Sequence, residues 1–205
     1  MQDLLVAAGL FVAAFLLGSI PWGLVISTVF FHTDIRQHGS GNIGTTNAMR
    51  TIGKAGGAAV FVLDFGKGLL SGVLAWAFSQ YLLPGAGLVP GAPVSHDTMA
   101  FLGCTWGHIF SPWLKFKGGK GIAVAVGCLF VTFGWVGACL ELLIFAVLVV
   151  ATKHVSVGSI AAAATCPFFA LYFFWGDWLA WACCTIAALT VVWAHRGNIA
   201  RLRAG

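Results

Sequence analysis

The chain has 205 residues, of which 60% are hydrophobic and only 8% charged, with 17 Phe and 9 Trp and a mean hydropathy of +0.94. Soluble proteins carry roughly a quarter charged residues and rarely expose large contiguous apolar patches, so a soluble globular domain, a disordered tail and a disulfide-stapled secreted module are all excluded. At about 20 residues per membrane-spanning helix, the chain holds about seven spans and no separate soluble domain.

The first apolar stretch, 4–31, lies between Asp3 and Asp34. No Lys or Arg precedes it, so the basic n-region of a signal peptide is missing and the stretch reads as a retained helix, bent near Gly18-Ser19-Ile20-Pro21. A second span is expected over 63–83, with Asp64 and Lys67 at its entrance and a Pro- and Gly-rich loop from Pro84 to Pro93 after it. A third covers 98–114. Residues 121–152 are apolar apart from Glu141, too long for one upright helix, and carry Gly134-Trp135-Val136-Gly137 at their middle. The last spans are 156–176 and 178–195, divided at Asp177.

Parity decides how 121–152 crosses. If it crosses twice, as 121–134 and 136–152, all 11 Lys and Arg residues fall on one face, and the other keeps Asp3, Asp97 and Asp177 near its loops. One crossing divides the cations. Cytoplasmic loops are enriched in Lys and Arg, so the expected fold is an all-α integral membrane domain, residues 1–205, of seven transmembrane helices. Its N-terminus lies outside and its C-terminus in the cytoplasm. The weak element is 121–134, a helix of about 20 Å against a hydrocarbon core of roughly 30 Å. The net charge of +5 is then a membrane-face signal and gives no reason to expect a nucleic-acid partner.

The six cysteines all sit inside apolar segments without metal-ligand spacing and read as packing residues; no metal site is expected. His32, His38, His96 and His154 lie at interfaces with no constellation around them, and Glu141 is given no role. The polar residues gather in three cytoplasmic loops, 36–54, 115–121 and 195–205. Irregular backbone at membrane depth survives only when buried in protein or lining a wet cavity, so these loops mark a site.

Their chemistry suits anions. In Phe116-Lys117-Gly118-Gly119-Lys120-Gly121 the glycines can aim successive N–H groups at one oxygen, and Lys120 opens a helix whose N-terminal dipole favours negative charge. A nucleotide P-loop would need Gly and Ser/Thr where Leu114 and Gly121 stand. Ser40-Gly41-Asn42 through Asn47 offers hydroxyls and amides without a carboxylate, either to orient a polyol or phosphate or to serve as an Asx-rich helix cap. Arg50 shares a helix side with Asn47 and can clamp a phosphate in bidentate fashion; Arg36 and Lys54 are left as positive-inside residues. Asp64 and Lys67, three apart, can pair, either as a structural floor or in catalysis. His108 and His195, at helix ends, are each either a proton acceptor or a partner for a loop carbonyl.

Taken together, Ser40-Gly-Asn-Ile-Gly-Thr-Thr-Asn47-Ala-Met-Arg50, His108-x-x-x-Pro112-x-x-Lys115-Phe-Lys-Gly-Gly-Lys120-Gly and His195-x-x-Asn198-Ile-x-Arg201-Leu resemble the bacterial acyl-phosphate-dependent glycerol-3-phosphate acyltransferases. Gly18-Ser-Ile-Pro21 and Asp64-x-x-Lys67-Gly68 fit as well, so the likeness runs from about residue 18 to 203. Thr45 and Ile43 depart from the usual Ala or Ser and the frequent Pro. The resemblance implies a monomeric enzyme of the bacterial inner membrane. It would transfer a fatty acyl group from acyl phosphate to the 1-hydroxyl of glycerol 3-phosphate, without cofactor or metal, among membrane lipids. The family lacks the His-x-x-x-x-Asp box of other acyltransferases, and no histidine here is followed by Asp at that spacing.

The expected catalytic residues are Ser40, Asn42, Lys120, His195 and Asn198. Substrate contacts are expected from Ser40, Gly41, Asn47, Arg50, Lys67, His108, Gly118, Gly119, Lys120 and Asn198. Transfer is expected to be direct, with the acyl phosphate's own oxygens taking the hydroxyl proton. Three rivals remain. A transporter for a small phosphorylated anion would place its site near the midplane, a metal-dependent phosphotransferase would need clustered aspartates, and an assembly subunit would have no use for the loops.

Overall fold

The computed structural model describes residues 2–82 and 96–204, with side chains from Leu5 onward. The Pro- and Gly-rich loop at 84–93, the last residue of the expected 63–83 span and the Asp3 side chain lie outside the described residues. Among those described there is no strand. The helices are α1 (Gln2–Ser19), α2 (Trp22–Phe31), α3 (Thr45–Thr51), α4 (Gly53–Leu82) and α5 (His96–Ile109), then α6 (Ile122–Thr132), α7 (Gly134–Thr152), α8 (Val155–Phe173), α9 (Trp178–Ala194) and α10 (Arg196–Arg203).

By length and composition, four stretches can cross a membrane: Leu5–Phe31, Gly53–Tyr81, Gly134–Thr152 and Val155–Phe173. A fifth is reached if α9 and α10, bent by 49° at His195, count as one span. The 14-residue α5 and the 11-residue α6 are shorter than a bilayer core, so the fold among the described residues has four to five long apolar spans. The outer surface carries exposed Trp135, Tyr172, Trp175 and Phe168, as expected where lipid replaces water.

Pro21 breaks the first stretch into α1 and α2, because it has no N–H to donate and clashes with the preceding turn. The carbonyls freed at the break find new partners. Ser111 Oγ donates to the Ser19 carbonyl at 2.7 Å, and Lys67 Nζ donates to the Ile20 carbonyl at 2.7 Å. The break therefore fastens α1 to the two elements that lie under the polar loops.

Helix α4 begins at Gly53, well before residue 63, and α3 occupies what the sequence presents as loop. Gly53 at φ +79° forms the junction between them. Apolar Ile26, Ile35, Ile43, Ala48, Ile52, Val60 and Leu114 pack together beneath this corner, and that burial holds a glycine-rich segment helical against its poor intrinsic propensity. Helix α5 ends at Ile109, followed by a 3-10 turn over Pro112–Leu114.

The chain doubles back at Gly134 (φ +66°). A continuous helix from Ile122 to Thr152 would hold its ends about 45 Å apart, yet Ile122 and Lys153 line the same cavity. Asp177 caps α9, its carboxylate accepting from the Ala180 N–H at 3.0 Å. The main core is built from small side chains, among them Cys104, Cys128, Ala138, Cys166, Cys184 and Ala187, which let helices approach closely. The α4–α6 contact is one close case: a Cβ on Gly68 or Gly127 would overlap the Val124 or Phe65 carbonyl of the other helix. Five cysteines are buried, Cys139 is exposed, and all six are free thiols.

Candidate functional site

The loop after α2 is organised by one amide. Asn47 is buried, its Oδ1 accepts the Ser40 N–H at 2.9 Å, and its Nδ2 faces the carbonyls of Ile35, His38 and Asn42 at 2.8–3.1 Å. Its hydrogen-bonding capacity is committed to the loop, so the expected substrate contact from Asn47 gives way to a structural one. Asn42 makes an Asx turn, its Oδ1 accepting the Gly44 N–H at 2.9 Å, which leaves its Nδ2 as the group it can offer. Gly39 and Gly41 take φ +58° and +67°, conformations that glycine adopts without strain. Outside the loop's bend, Arg36 closes on Asp34 through two nitrogens at 2.6–3.2 Å. This partner holds the Asp34 carboxyl down at about 2.

Beneath the loop lies a buried charge cluster. Lys67 Nζ is 2.9 Å from Asp64 Oδ1, 2.7 Å from the Ile20 carbonyl and 3.1 Å from His108 Nδ1. An ammonium only donates, so His108 Nδ1 is the acceptor and its Nε2 carries the proton. That tautomer makes His108 a hydrogen-bond donor toward the cavity, and the proton-acceptor role open to it in the sequence is lost. Asp64 and Lys67 are each 2% exposed at the side chain, and they act as a structural floor, the first of the two roles open to the pair.

The third element is the segment between α5 and α6. Lys115 (φ 52°) and Phe116 (φ 61°) both lie in the left-handed region and reverse the chain. The Gly118 and Gly119 N–H groups then reach back to the Ile109 and His108 carbonyls, both at 3.0 Å, and satisfy the open end of α5. The expected phosphate nest from these two amides is therefore corrected, because their protons already have partners. The glycines are needed for proximity instead. A Cβ on Gly118 would overlap the His108 carbonyl, and one on Gly119 would overlap the His108 ring.

What this segment delivers is Lys120 and the start of α6. Gly121 is the N-cap in the left-handed conformation, with no side chain capping the first turn, so the α6 amides and dipole are open to an anion. Lys120 Nζ donates to Asn198 Oδ1 at 2.5 Å, which fixes the Asn198 amide with Nδ2 free. Burial, together with Arg201 and Arg50, pushes the Lys120 ammonium below the ordinary lysine range. His195, at the α9–α10 corner, bonds the Val191 carbonyl through Nδ1 at 2.8 Å. Only a protonated Nδ1 can do so, leaving Nε2 with its lone pair.

These pieces surround a cavity of about 950 Å³. Ser40, Asn42, Asn47, Arg50, His108, Lys120, His195 and Asn198 line it, while Gly41, Lys67, Gly118 and Gly119 do not. Arg201 lines the mouth too and was not among the expected site residues; its placement three residues past Asn198 was the available signal. Asp64 and Glu141 are the carboxylates among the described lining residues. Asp64 is neutralised by Lys67, and Glu141 sits deep between α7 and α8, hydrogen-bonded by Thr165 at 2.9 Å. The mouth is thus cationic and the interior apolar, lined by Phe101, Ala125, Leu129, Leu142, Phe145 and Ala162. No group of three or more potential metal ligands occurs among the described residues.

Residues 8–205 match the family model for glycerol-3-phosphate acyltransferase. A glycerol-3-phosphate acyltransferase from Rhodopseudomonas palustris (strain HaA2) is 39% identical over 201 residues, 96% of this chain and 94% of that protein. One from Prochlorococcus marinus (strain MIT 9312) is 36% identical over 194 residues, 94% and 91% of the two chains. Among solved structures, the glycerol 3-phosphate form of PlsY (YgiH), an integral membrane glycerol 3-phosphate acyltransferase, is similar with a TM-score of 0.80 and 32% identity, covering 98% of this chain and 93% of that one. Its lysophosphatidic acid form gives a TM-score of 0.77 at 31% identity.

Proposed function

Because the chain belongs to the glycerol-3-phosphate acyltransferase family, we propose that it transfers a fatty acyl group from acyl phosphate to the 1-hydroxyl of sn-glycerol 3-phosphate, yielding 1-acylglycerol 3-phosphate (lysophosphatidate) and phosphate. This is the first acylation of phospholipid synthesis. The observation that carries the reading is the two-part cavity: Arg50, Lys120 and Arg201 at a mouth with no free carboxylate among the described residues, above an apolar interior. Such a shape suits a donor with an anionic head and a long tail, beside an acceptor with a second phosphate.

Acyl phosphate is a mixed anhydride and already activated. The protein need only align the alcohol, stabilise the carbonyl oxyanion and hold the leaving phosphate. Lys120, Arg50 and Arg201 supply the charge, with the α6 N-terminus beside them. Ser40, Asn42 Nδ2 and Asn198 Nδ2 orient the polar groups, and His195 completes the pocket beside them. The hydroxyl oxygen bonds to the carbonyl carbon, the carbon–oxygen bond to phosphate breaks, and the hydroxyl proton goes to a non-bridging oxygen of the departing phosphate. No acyl-enzyme and no cofactor enter this scheme.

The enzyme is read as a monomer in the bacterial inner membrane, with seven crossings, the N-terminus outside and the site facing the cytoplasm. Support comes from charge placement: Arg50, Lys120, Lys153 and Arg201 all line one cavity, and Lys and Arg gather on cytoplasmic faces. The test is purified protein in detergent with acyl phosphate and glycerol 3-phosphate under chelator. Lysophosphatidate and phosphate in equal amounts, each dependent on both substrates, is the expected result. Reaction with acyl-CoA but not acyl phosphate overturns the donor, and no product with either overturns the reaction.

A further inference from the structure

Glu141 has no part in the chemistry above, yet it is 2% exposed in a helix long and apolar enough to cross a membrane. Such residues are functional candidates by default. Its Oε2 accepts from Thr165 Oγ1 at 2.9 Å, while Oε1 is buried with no hydrogen-bond partner. It also lines the same cavity as Lys120.

Its position within that cavity is terminal. On α7 the lining runs inward from Lys153 through Phe145 and Leu142 and stops at Glu141; on α8 it runs from Val155 and stops at Cys166. No described residue nearer the far end of either helix takes part. Twelve residues of helix separate Glu141 from Lys153, roughly 18 Å at the helical rise. Along α7 and α8 the cavity therefore runs from a cationic mouth to a carboxyl and a thiol at its far end.

We propose that Glu141, held by Thr165 and with Cys166 lining the same end of the cavity, is the floor of the acyl channel and sets the longest chain the enzyme accepts. This rests on the reading of the cavity interior as the acyl site. A terminal methyl can pack down to this level. A longer chain must push methylenes against a buried carboxyl and must break its bond to Thr165. An apolar side chain at the same place would yield or repack, whereas a fixed polar group at the end of an apolar channel discriminates by length. Glu141 is thus a specificity-determining residue and not a catalytic one.

The experiment measures kcat/KM for a series of saturated acyl phosphates from short to long, with wild type, Glu141→Ala, Glu141→Gln and Cys166→Phe. Removing four heavy atoms in Glu141→Ala makes room for about two methylenes at protein packing density, so the optimum moves to longer chains. The long-to-short ratio should rise about tenfold or more, as expected for added methylenes in an apolar pocket. Glu141→Gln keeps shape and the Thr165 bond and should retain the wild-type optimum. Cys166→Phe raises the floor from α8 and should move the optimum to shorter chains, which gives a second route if Glu141→Ala fails to fold. Equal scaling of every chain length in both Glu141→Ala and Cys166→Phe overturns the assignment while leaving the reaction intact. A wild-type protein inactive on the whole series contradicts the proposed reaction instead.

Discussion

Two charge clusters line one cavity, one satisfied from within and one left open. Asp64, Lys67 and His108 form a closed set, with Lys67 ion-paired to the carboxylate and donating to the imidazole and to the carbonyl freed at the Pro21 break. Arg50, Lys120 and Arg201 form an open set at the mouth, where Lys120 donates to Asn198 Oδ1. A buried charge satisfied from within holds a structure in place and is costly to disturb. Cations left without a counter-charge at a cavity mouth are held ready for an anion brought by a ligand.

The sharpest way to break this contrast is to disturb the closed set. Lys67→Met strands Asp64 in the interior and should cost about 3–5 kcal/mol, read as a lower unfolding midpoint in detergent. Adding Asp64→Leu to that variant should recover most of the loss. Undiminished stability of the single variant would place Lys67 in the open set. Next in size, Lys120→Met should lower kcat/KM by about 10²–10³ and leave the unfolding midpoint near that of wild type. A large loss of stability there would mean that Lys120 is structural.

A smaller effect follows from the neighbours of Lys120. Because burial, Arg201 and Arg50 lower its proton affinity, anion binding should weaken as pH rises through a value below the ordinary lysine range. The alkaline limb of kcat/KM for the free enzyme should therefore set in early and move upward in Lys120→Arg. An unchanged limb would contradict the assignment. The smallest effect belongs to the exposed Asp34–Arg36 pair. Its stabilisation is present above the ordinary aspartate range and lost as pH falls toward about 2. Asp34→Asn should cost less than about 1 kcal/mol at neutral pH, and a greater loss would show that this bend carries the loop.

Much of this is written in the sequence. Pro21 marks the first break, Gly134 the turn between α6 and α7, and Asp177 the start of α9, because each acts through its own backbone or cap. The convergence of Ser40, Arg50, Lys120, His195 and Asn198 on one cavity was legible as three polar loops in a chain with few other polar residues. The start of α4 at Gly53 was not, since a run with Gly53, Gly56 and Gly57 becomes helical only when Ile52 and Val60 are buried by distant partners. Nor was the destination of the Gly118 and Gly119 protons, which depends on where the end of α5 lies. The opposite tautomers of His108 and His195 are set by Lys67 and the Val191 carbonyl, and no local pattern reveals such partners.

In the proposed reaction the chain lends charge and alignment and no covalent group. The direct test is to mix the purified enzyme with acyl phosphate carrying a labelled acyl chain, in the absence of glycerol 3-phosphate, and to follow phosphate release and label on the protein in the first turnover. The expected result is no burst of phosphate and no labelled protein until glycerol 3-phosphate is added. A burst equal to the enzyme, with the acyl group on Ser40, would contradict direct transfer.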